Sequence, residues 1–419
     1  MTIGKWARLL LLAAPVLAGC KGFFDAPAGG GGGGSSTLTS GVFYVLNQAT
    51  AQIAAYSVVA GVLTPVTGSP YALGTSPYSI AIAPNGAFLY VSTTSGIFLY
   101  SIGTGGALTL GNNSQPVFLD STGYAIAVDS TSSWLLDASS GGGLGGVLYA
   151  IPINSTTGAV TGGTAATTPQ LALASISAPQ KMAITSDNKF VLVALGNSGT
   201  AIIPFAAGTA ANPMPVKLTA SEVIPVKGTG GAAVSVAVDP QSRLFYVGEV
   251  AAITGTSNTG GLRAFNYSAL TTISTTAATD ITGSPYASGG LAPYSILPTP
   301  TSTGANAGAY VYVGNRTVSG SSSGNITGFA MTTTGTTNTL TTLTTTATGA
   351  FPTSLAQDSS GAFVLVVDSG NGTASGNPDL EGYNFDATTA GTLDSVLSST
   401  TGTTAAPDPV GAIVVVALP

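Results

Sequence analysis

The chain has 419 residues, only 6% of them charged and 44% apolar, with ten lysines and arginines, sixteen acids and no histidine. No basic patch is available to neutralise a phosphate backbone, which excludes nucleic acid as a partner, and high apolar content with little charge is the opposite of a disordered composition. Without histidine, Ser-His-Asp and Cys-His catalysis are excluded, as is the commonest zinc ligand.

In chain order, Lys5 and Arg8 precede an apolar run from Leu9 to Val16, which leads into Leu17-Ala18-Gly19-Cys20. Basic, apolar and small residues in that order form a secretory signal over residues 1–19. The last four residues resemble the lipobox of bacterial lipoproteins, which implies cleavage before Cys20 and acylation of its thiol. Cys20 is the only cysteine, so an intrachain disulfide is excluded. Loss of Lys5 and Arg8 leaves eight basic against sixteen acidic side chains, a net charge of −8. Anchorage then rests on acyl chains, each buried methylene contributing about 0.8 kcal/mol, rather than on anionic lipid head groups. The expected location is the bacterial cell envelope, at the outer membrane or cell surface, with Lys21 rather than Asp after the cysteine. Residues 20–40, with Gly29 to Gly34 and Ser35-Ser36, read as a flexible tether, and the folded domain spans 41–419.

Beyond the signal, apolar runs are short, rich in Val, Ile, Tyr and Phe, and bounded by Gly, Pro, Asn or Ser, which predicts β-strands joined by turns. They are too short for a membrane-spanning helix of ~18–20 residues, and about half the ~9–11 residues that a transmembrane barrel strand needs. A unit recurs through them: Pro-x-x-apolar, an alternating strand, a polar turn, then a second strand around Tyr-Val. The clearest copy runs from Pro77-Tyr-Ser-Ile80 through Pro84-Asn85-Gly86 to Phe88-Leu-Tyr90-Val91. Matching anchors are Ile80, Ile126, Met182, Val236, Ile296, Leu355 and Ala412, spaced by 46 to 60 residues. A third strand follows in six copies, from Ile97–Ile102 to Leu380–Phe385, and a weaker fourth follows a glycine turn, as at Gly106 and Gly391. Four strands per repeat is the unit of a β-propeller blade.

The ends complete the count. Residues 42–66 supply the second to fourth strands of a blade but no first strand, and Pro409–Val416 is a first strand with nothing after it. Joined, they give a seventh blade and a closed ring without long open sheet edges. The expected fold is therefore all-β, a seven-bladed propeller closed by pairing the C-terminal strand with the N-terminal blade.

Tyr44-Val45-Leu46-Asn47, Tyr246-Val247-Gly248-Glu249 and Tyr312-Val313-Gly314-Asn315 carry a closer likeness. Over residues 41–417 the pattern resembles the lactonase-type seven-bladed propellers, the YVTN or 6-phosphogluconolactonase-like family. The resemblance implies the fold and, for activity, opening of sugar lactones at sites using histidine with arginine and glutamate. No position here can inherit the histidine.

The remaining polar candidates cluster at the end of the second strand, thirteen residues after the blade anchor in the five regularly spaced blades and at the same place, as Asn47 and Asn315, in the other two. They are Asn47, Thr93, Ser139, Leu195, Glu249, Asn315 and Asp368, six of them polar. These positions read either as a binding rim at one mouth of the ring or as side chains that satisfy turn backbone. Glu249 and Arg316 are the candidate catalytic pair, a carboxylate and a guanidinium that could hold a lactone or sugar acid. Arg243 and Arg263 border the same blade. Asp368 to Glu381 is rich in oxygen ligands but matches no calcium motif, and Gly141 to Gly146 lacks the Lys-Ser/Thr of a phosphate loop. Trp134 and the strand-centre tyrosines read as packing between blades. No metal or other cofactor is implied. The functional expectation is a lipid-anchored, monomeric binding module for an envelope protein or glycan, with a lactonase-like hydrolase as the alternative.

Overall fold

A computed structural model describes residues 41–59, 61–119, 123–140, 146–161, 168, 170–173, 178–205, 222–272, 278–299, 309–321, 323–369, 378–400 and 411–419. Cys20 and the expected signal and tether lie outside the described residues. The strands form seven antiparallel sheets, one per blade. Blade 1 joins the two ends of the chain: Ala412–Ala417 pairs antiparallel with Gly41–Asn47, followed by Gln52–Val59 and Val62–Pro65. Blade 2 contains Pro77–Ile82, Phe88–Thr93, Gly96–Ile102 and Leu108–Leu110, and blades 3 to 7 repeat this meander from Gly123, Met182, Ala232, Pro293 and Pro352. The ring is a seven-bladed β-propeller closed by its C-terminal strand.

Closure occurs in a different register from the sequence expectation. Val415 pairs with Val45 and Ala412 with Asn47, so Val415 is the counterpart of Ile80, which pairs with Val91, and Ala412 is the counterpart of Pro77. The run Ile413-Val-Val-Val416 is apolar throughout, so the sequence alone does not mark which valine faces which partner.

The core is distributed around the ring in seven buried clusters, one between each pair of adjacent blades. Phe43 and Val45 pack toward blade 7, whereas Tyr44 and Leu46 on the same strand pack toward blade 2. Period-two alternation thus sends successive side chains to different neighbours. That is why second strands such as Phe88–Thr93 and Phe363–Asp368 are buried along their whole length and read as continuous apolar runs.

Tyrosine hydroxyls bind successive blades together. Tyr44 donates to the Gly106 carbonyl at 2.8 Å, Tyr90 to Gly158 at 2.7 Å, and Tyr312 to Gly391 at 2.8 Å, each reaching the outer turn of the next blade. Gly158 and Gly391 sit at φ of +71° and +80°, and a Cβ on them would lie 2.6 Å from Phe88 and 2.3 Å from Tyr310. Only glycine allows that close approach.

Candidate functional site in the central channel

The first strand of every blade lines a central cavity of about 200 Å³. In six blades the register of that strand shifts by one residue just before it enters the channel, at Tyr78, Tyr124, Val234, Tyr294, Thr353 and Ile413. Such bulges re-aim side chains and recur beside functional sites. The next residue in each blade faces the cavity: Ser79, Ala125, Lys181, Ser235, Ser295, Ser354 and Val414.

The four serines have a structural duty, because first strands of adjacent blades are not hydrogen-bonded to one another as a sheet. Ser79 Oγ accepts the Ile126 N–H at 3.2 Å and Ser295 Oγ accepts the Leu355 N–H at 3.1 Å. Ser235 donates to the Pro293 carbonyl, and Ser354 to that of Val415 at 3.4 Å. Ser79 and Ser295 therefore each retain a hydroxyl proton to donate.

Lys181 occupies this ring in blade 4. Its carbonyl accepts the Ala194 N–H at 2.9 Å, but its ammonium has no hydrogen bond or ion pair among the described residues. It is partly accessible because it faces the free volume of the channel, yet the ring of strands surrounds it. Burial pushes its pKa down to about 8. Among the described residues the lining contains no carboxylate, and Tyr294 is the only other titratable side chain in it. Arg316 stands behind Tyr294: its Cζ lies 5.1 Å from the Tyr294 ring centroid and 5.6 Å from that of Phe351. Phe351 is held at φ of +61° as it presents this ring, an uncommon conformation for a bulky residue. The guanidinium makes no ion pair among the described residues and is held by these two rings behind the channel wall.

The other sequence candidates lie elsewhere, and the rim reading requires correction. Asn47, Thr93, Ser139, Leu195, Glu249, Asn315 and Asp368 are all buried, with exposures of 0 or 1%. They end a strand that is second from the axis and sandwiched between blades, so they present no open mouth. Thr93 Oγ1 donates to Gly96 O at 2.9 Å and accepts the Ser95 N–H, closing the turn into the third strand. Asn315 donates to Asn325 Oδ1 at 2.7 Å and accepts the Ser288 hydroxyl at 2.6 Å.

Glu249 does not meet Arg316. Its Oε1 accepts Arg263 Nη1 at 2.7 Å and its Oε2 accepts the Lys227 N–H at 3.0 Å. Arg263 continues to Asp280, with Nη2 2.9 Å from Oδ2, and Lys227 Nζ reaches the same carboxylate at 3.2 Å. Burial alone would raise the Asp280 carboxyl, but hydrogen bonds from Arg263 and Ser284 and the charges of Arg263 and Lys227 hold it below the usual range. Arg243 is committed to Asp239 through two bonds of 2.8 Å. Asp368 lies beside Glu381 in blade 7, where burial pushes the Glu381 carboxyl up. No group of three or more metal-ligating side chains occurs among the described residues. Trp134 is buried in the cluster between blades 3 and 4, as expected of a packing residue.

The Lactonase, 7-bladed beta-propeller family matches residues 44–376. The chain belongs to this family. Among solved structures, a 6-phosphogluconolactonase-like protein from Bacteroides fragilis is similar at 15% identity and a TM-score of 0.62, covering 91% of this chain and 99% of its own. The periplasmic gluconolactonase PpgL of Pseudomonas aeruginosa is similar at 14% identity and a TM-score of 0.57, covering 87% of this chain and 98% of its own. No curated protein matches the sequence. Within this family fold, Lys181 is the residue that sequence reasoning missed. Its signal was available: in Pro179-Gln180-Lys181-Met182 a charge occupies the column that holds serine in four other repeats.

Proposed function

We propose that this family member opens a small lactone in its central channel, with Lys181 as the proton acceptor. The observation that carries the reading is an amine without a partner, in a channel with no other base among the described residues, in a chain of the lactonase family. A cavity of about 150 Å³ admits one benzene ring, so this one has room for a single small ring. The neutral Lys181 amine takes a proton from water as the water oxygen attacks the lactone carbonyl. The ring C–O bond then breaks, the ring oxygen takes up a proton, and a hydroxy acid leaves as its carboxylate. A base with a pKa near working pH is well matched to this task, whereas a solvated carboxylate near 4 is a weak one.

The test is hydrolysis of δ-gluconolactone and of 6-phosphogluconolactone above the buffer rate, across pH. Turnover should rise through about pH 8 and disappear in Lys181→Met. Turnover equal to buffer, or unchanged in Lys181→Met, overturns the reading. A second reading, binding of an envelope protein or glycan without turnover, is favoured by the commitment of Glu249 to Arg263 and by the absence of histidine. Saturable binding of gluconate without lactone hydrolysis would select it.

We further infer that the protein works as a monomer held in the cell envelope by acyl chains on Cys20, a reading supported by Leu17-Ala18-Gly19-Cys20. Labelled fatty acid should mark the wild type and not Cys20→Ala. Equal labelling of both would refute it.

A further inference from the structure

Lys181 also has the attributes of a nucleophile, independently of whether any lactone is turned over. A lysine amine attacks carbonyl carbon only when unprotonated, and proteins reach that state by desolvating the amine and withholding a carboxylate partner. Lys181 satisfies both conditions. Among the described residues the cavity lining contains no acid and the ammonium has no partner. The two other lysines among the described residues are handled differently: Lys189 is 67% exposed and paired with Asp187 at 3.1 Å, and Lys227 is 41% exposed and paired with Asp280. Ser79 and Ser295, whose Oγ atoms accept backbone N–H groups, line the cavity that Lys181 faces.

We propose that Lys181 is an imine-forming lysine that captures a small hydroxyaldehyde, the chemistry of an open-chain sugar, in the central channel. The Nζ lone pair adds to the aldehyde carbon, the carbonyl oxygen takes up a proton to give a carbinolamine, and loss of water leaves the C=N bond. No oxidant or metal is required. The serine hydroxyls supply donors for the carbonyl oxygen and for the sugar hydroxyls, and the cavity volume limits the guest to about one small ring.

The experiment is reductive trapping. The full chain is incubated with glycolaldehyde and cyanoborohydride at pH 7, digested, and each lysine is scored by mass spectrometry for the reduced two-carbon adduct. A pKa of about 8 leaves roughly 300 times more free amine at pH 7 than an ordinary lysine has. Even with restricted access, Lys181 should be labelled at least about tenfold faster than Lys189 or Lys227, and the rate should saturate with glycolaldehyde. Lys181→Met should lose that adduct alone. Labelling of Lys181 no faster than Lys189 would overturn the proposal, and so would a rate that stays linear in glycolaldehyde, which denotes a reactive amine without a binding site. The comparison with Lys189 and Lys227 is made within the wild type, so it decides the matter even if Lys181→Met does not fold. A mass adduct and a hydrolysis rate are separate readouts, so failure of one reading leaves the other intact.

Discussion

Blades 5 and 7 place ionisable side chains at the same two positions and fill them in opposite ways. Glu249 and Asp368 each stand thirteen residues after their blade anchors, and Arg263 and Glu381 each face the residue eleven after the anchor, Val247 and Val366 respectively. Blade 5 therefore buries an acid against a guanidinium, with Asp280 and Lys227 extending the network. Blade 7 buries an acid beside an acid, and Glu381 is stabilised by the Gly349 N–H at 3.1 Å and the Tyr383 hydroxyl at 3.1 Å rather than by a cation. One position in the fold is thus a charge-paired junction in one blade and an acid-beside-acid junction in another. Neither opens onto the channel, so charge in this propeller is concentrated in the walls between blades while the channel contains the uncommitted amine.

The comparison breaks most visibly at Arg263. With 6% exposure it is buried between two carboxylates, and removing one partner of a buried pair costs about 3–5 kcal/mol because the survivor is left uncompensated. Arg263→Met should lower the urea midpoint of the core by the equivalent of that loss. A change below about 1 kcal/mol would place this pair with exposed surface pairs instead. The network also has a pH signature. Asp280 is depressed in the folded state, so its stabilisation is present above the unfolded carboxylate value, near 3.9, and is lost as pH falls through the lower folded value.

Blade 7 should respond with the opposite sign. Glu381 is raised in the folded state, chiefly by burial, against hydrogen bonds from Gly349 and Tyr383 and the contact with Asp368 that hold it down. Its contribution is complete below the unfolded value and is lost as pH rises through the folded one, since between the two the native state binds the extra proton. Glu381→Gln keeps an acceptor for Gly349 and Tyr383 while removing the charge. It should stabilise the protein at pH 7 and leave stability at pH 4 unchanged. Equal melting curves at pH 7 would mean that Glu381 is ionised there without penalty.

How much of this was legible differs between fold and site. The seven repeats, the four strands of each and the closure by the C-terminal strand followed from Pro-x-x-apolar spacing and from complementary ends, because alternation and turn residues are local signals. The register of closure was not legible, since Ile413 to Val416 offers no polar residue to fix which valine faces Val45. Glu249 was singled out as a candidate because charge is scarce, and was paired there with Arg316. Its partner Arg263 lies fourteen residues away across a hairpin, so only the pairing of the second and third strands shows that both charges are spent on each other. Lys181 lay in the open as a departure from a serine column. Its meaning depends on which way the bulged first strand turns that column, which sequence spacing does not encode.

The smallest effect tests whether burial, rather than charge count, ranks the members of the blade 5 network. Lys227 contributes two different things. Its backbone N–H donates to Glu249 at 3.0 Å, which no side-chain substitution removes, and its ammonium reaches Asp280 at 3.2 Å while 41% exposed. A pair with one partner in water is worth about 0.2–1 kcal/mol and is screened by salt. Lys227→Met should therefore cost no more than about 1 kcal/mol in low salt, and the difference from wild type should vanish in concentrated salt, where Arg263→Met remains destabilised. Stability curves for the two variants at low and high ionic strength separate the contributions. If Lys227→Met were as damaging as Arg263→Met at both, the network would act as a single cooperative unit, and the contrast with blade 7 would rest on four charges instead of one buried pair.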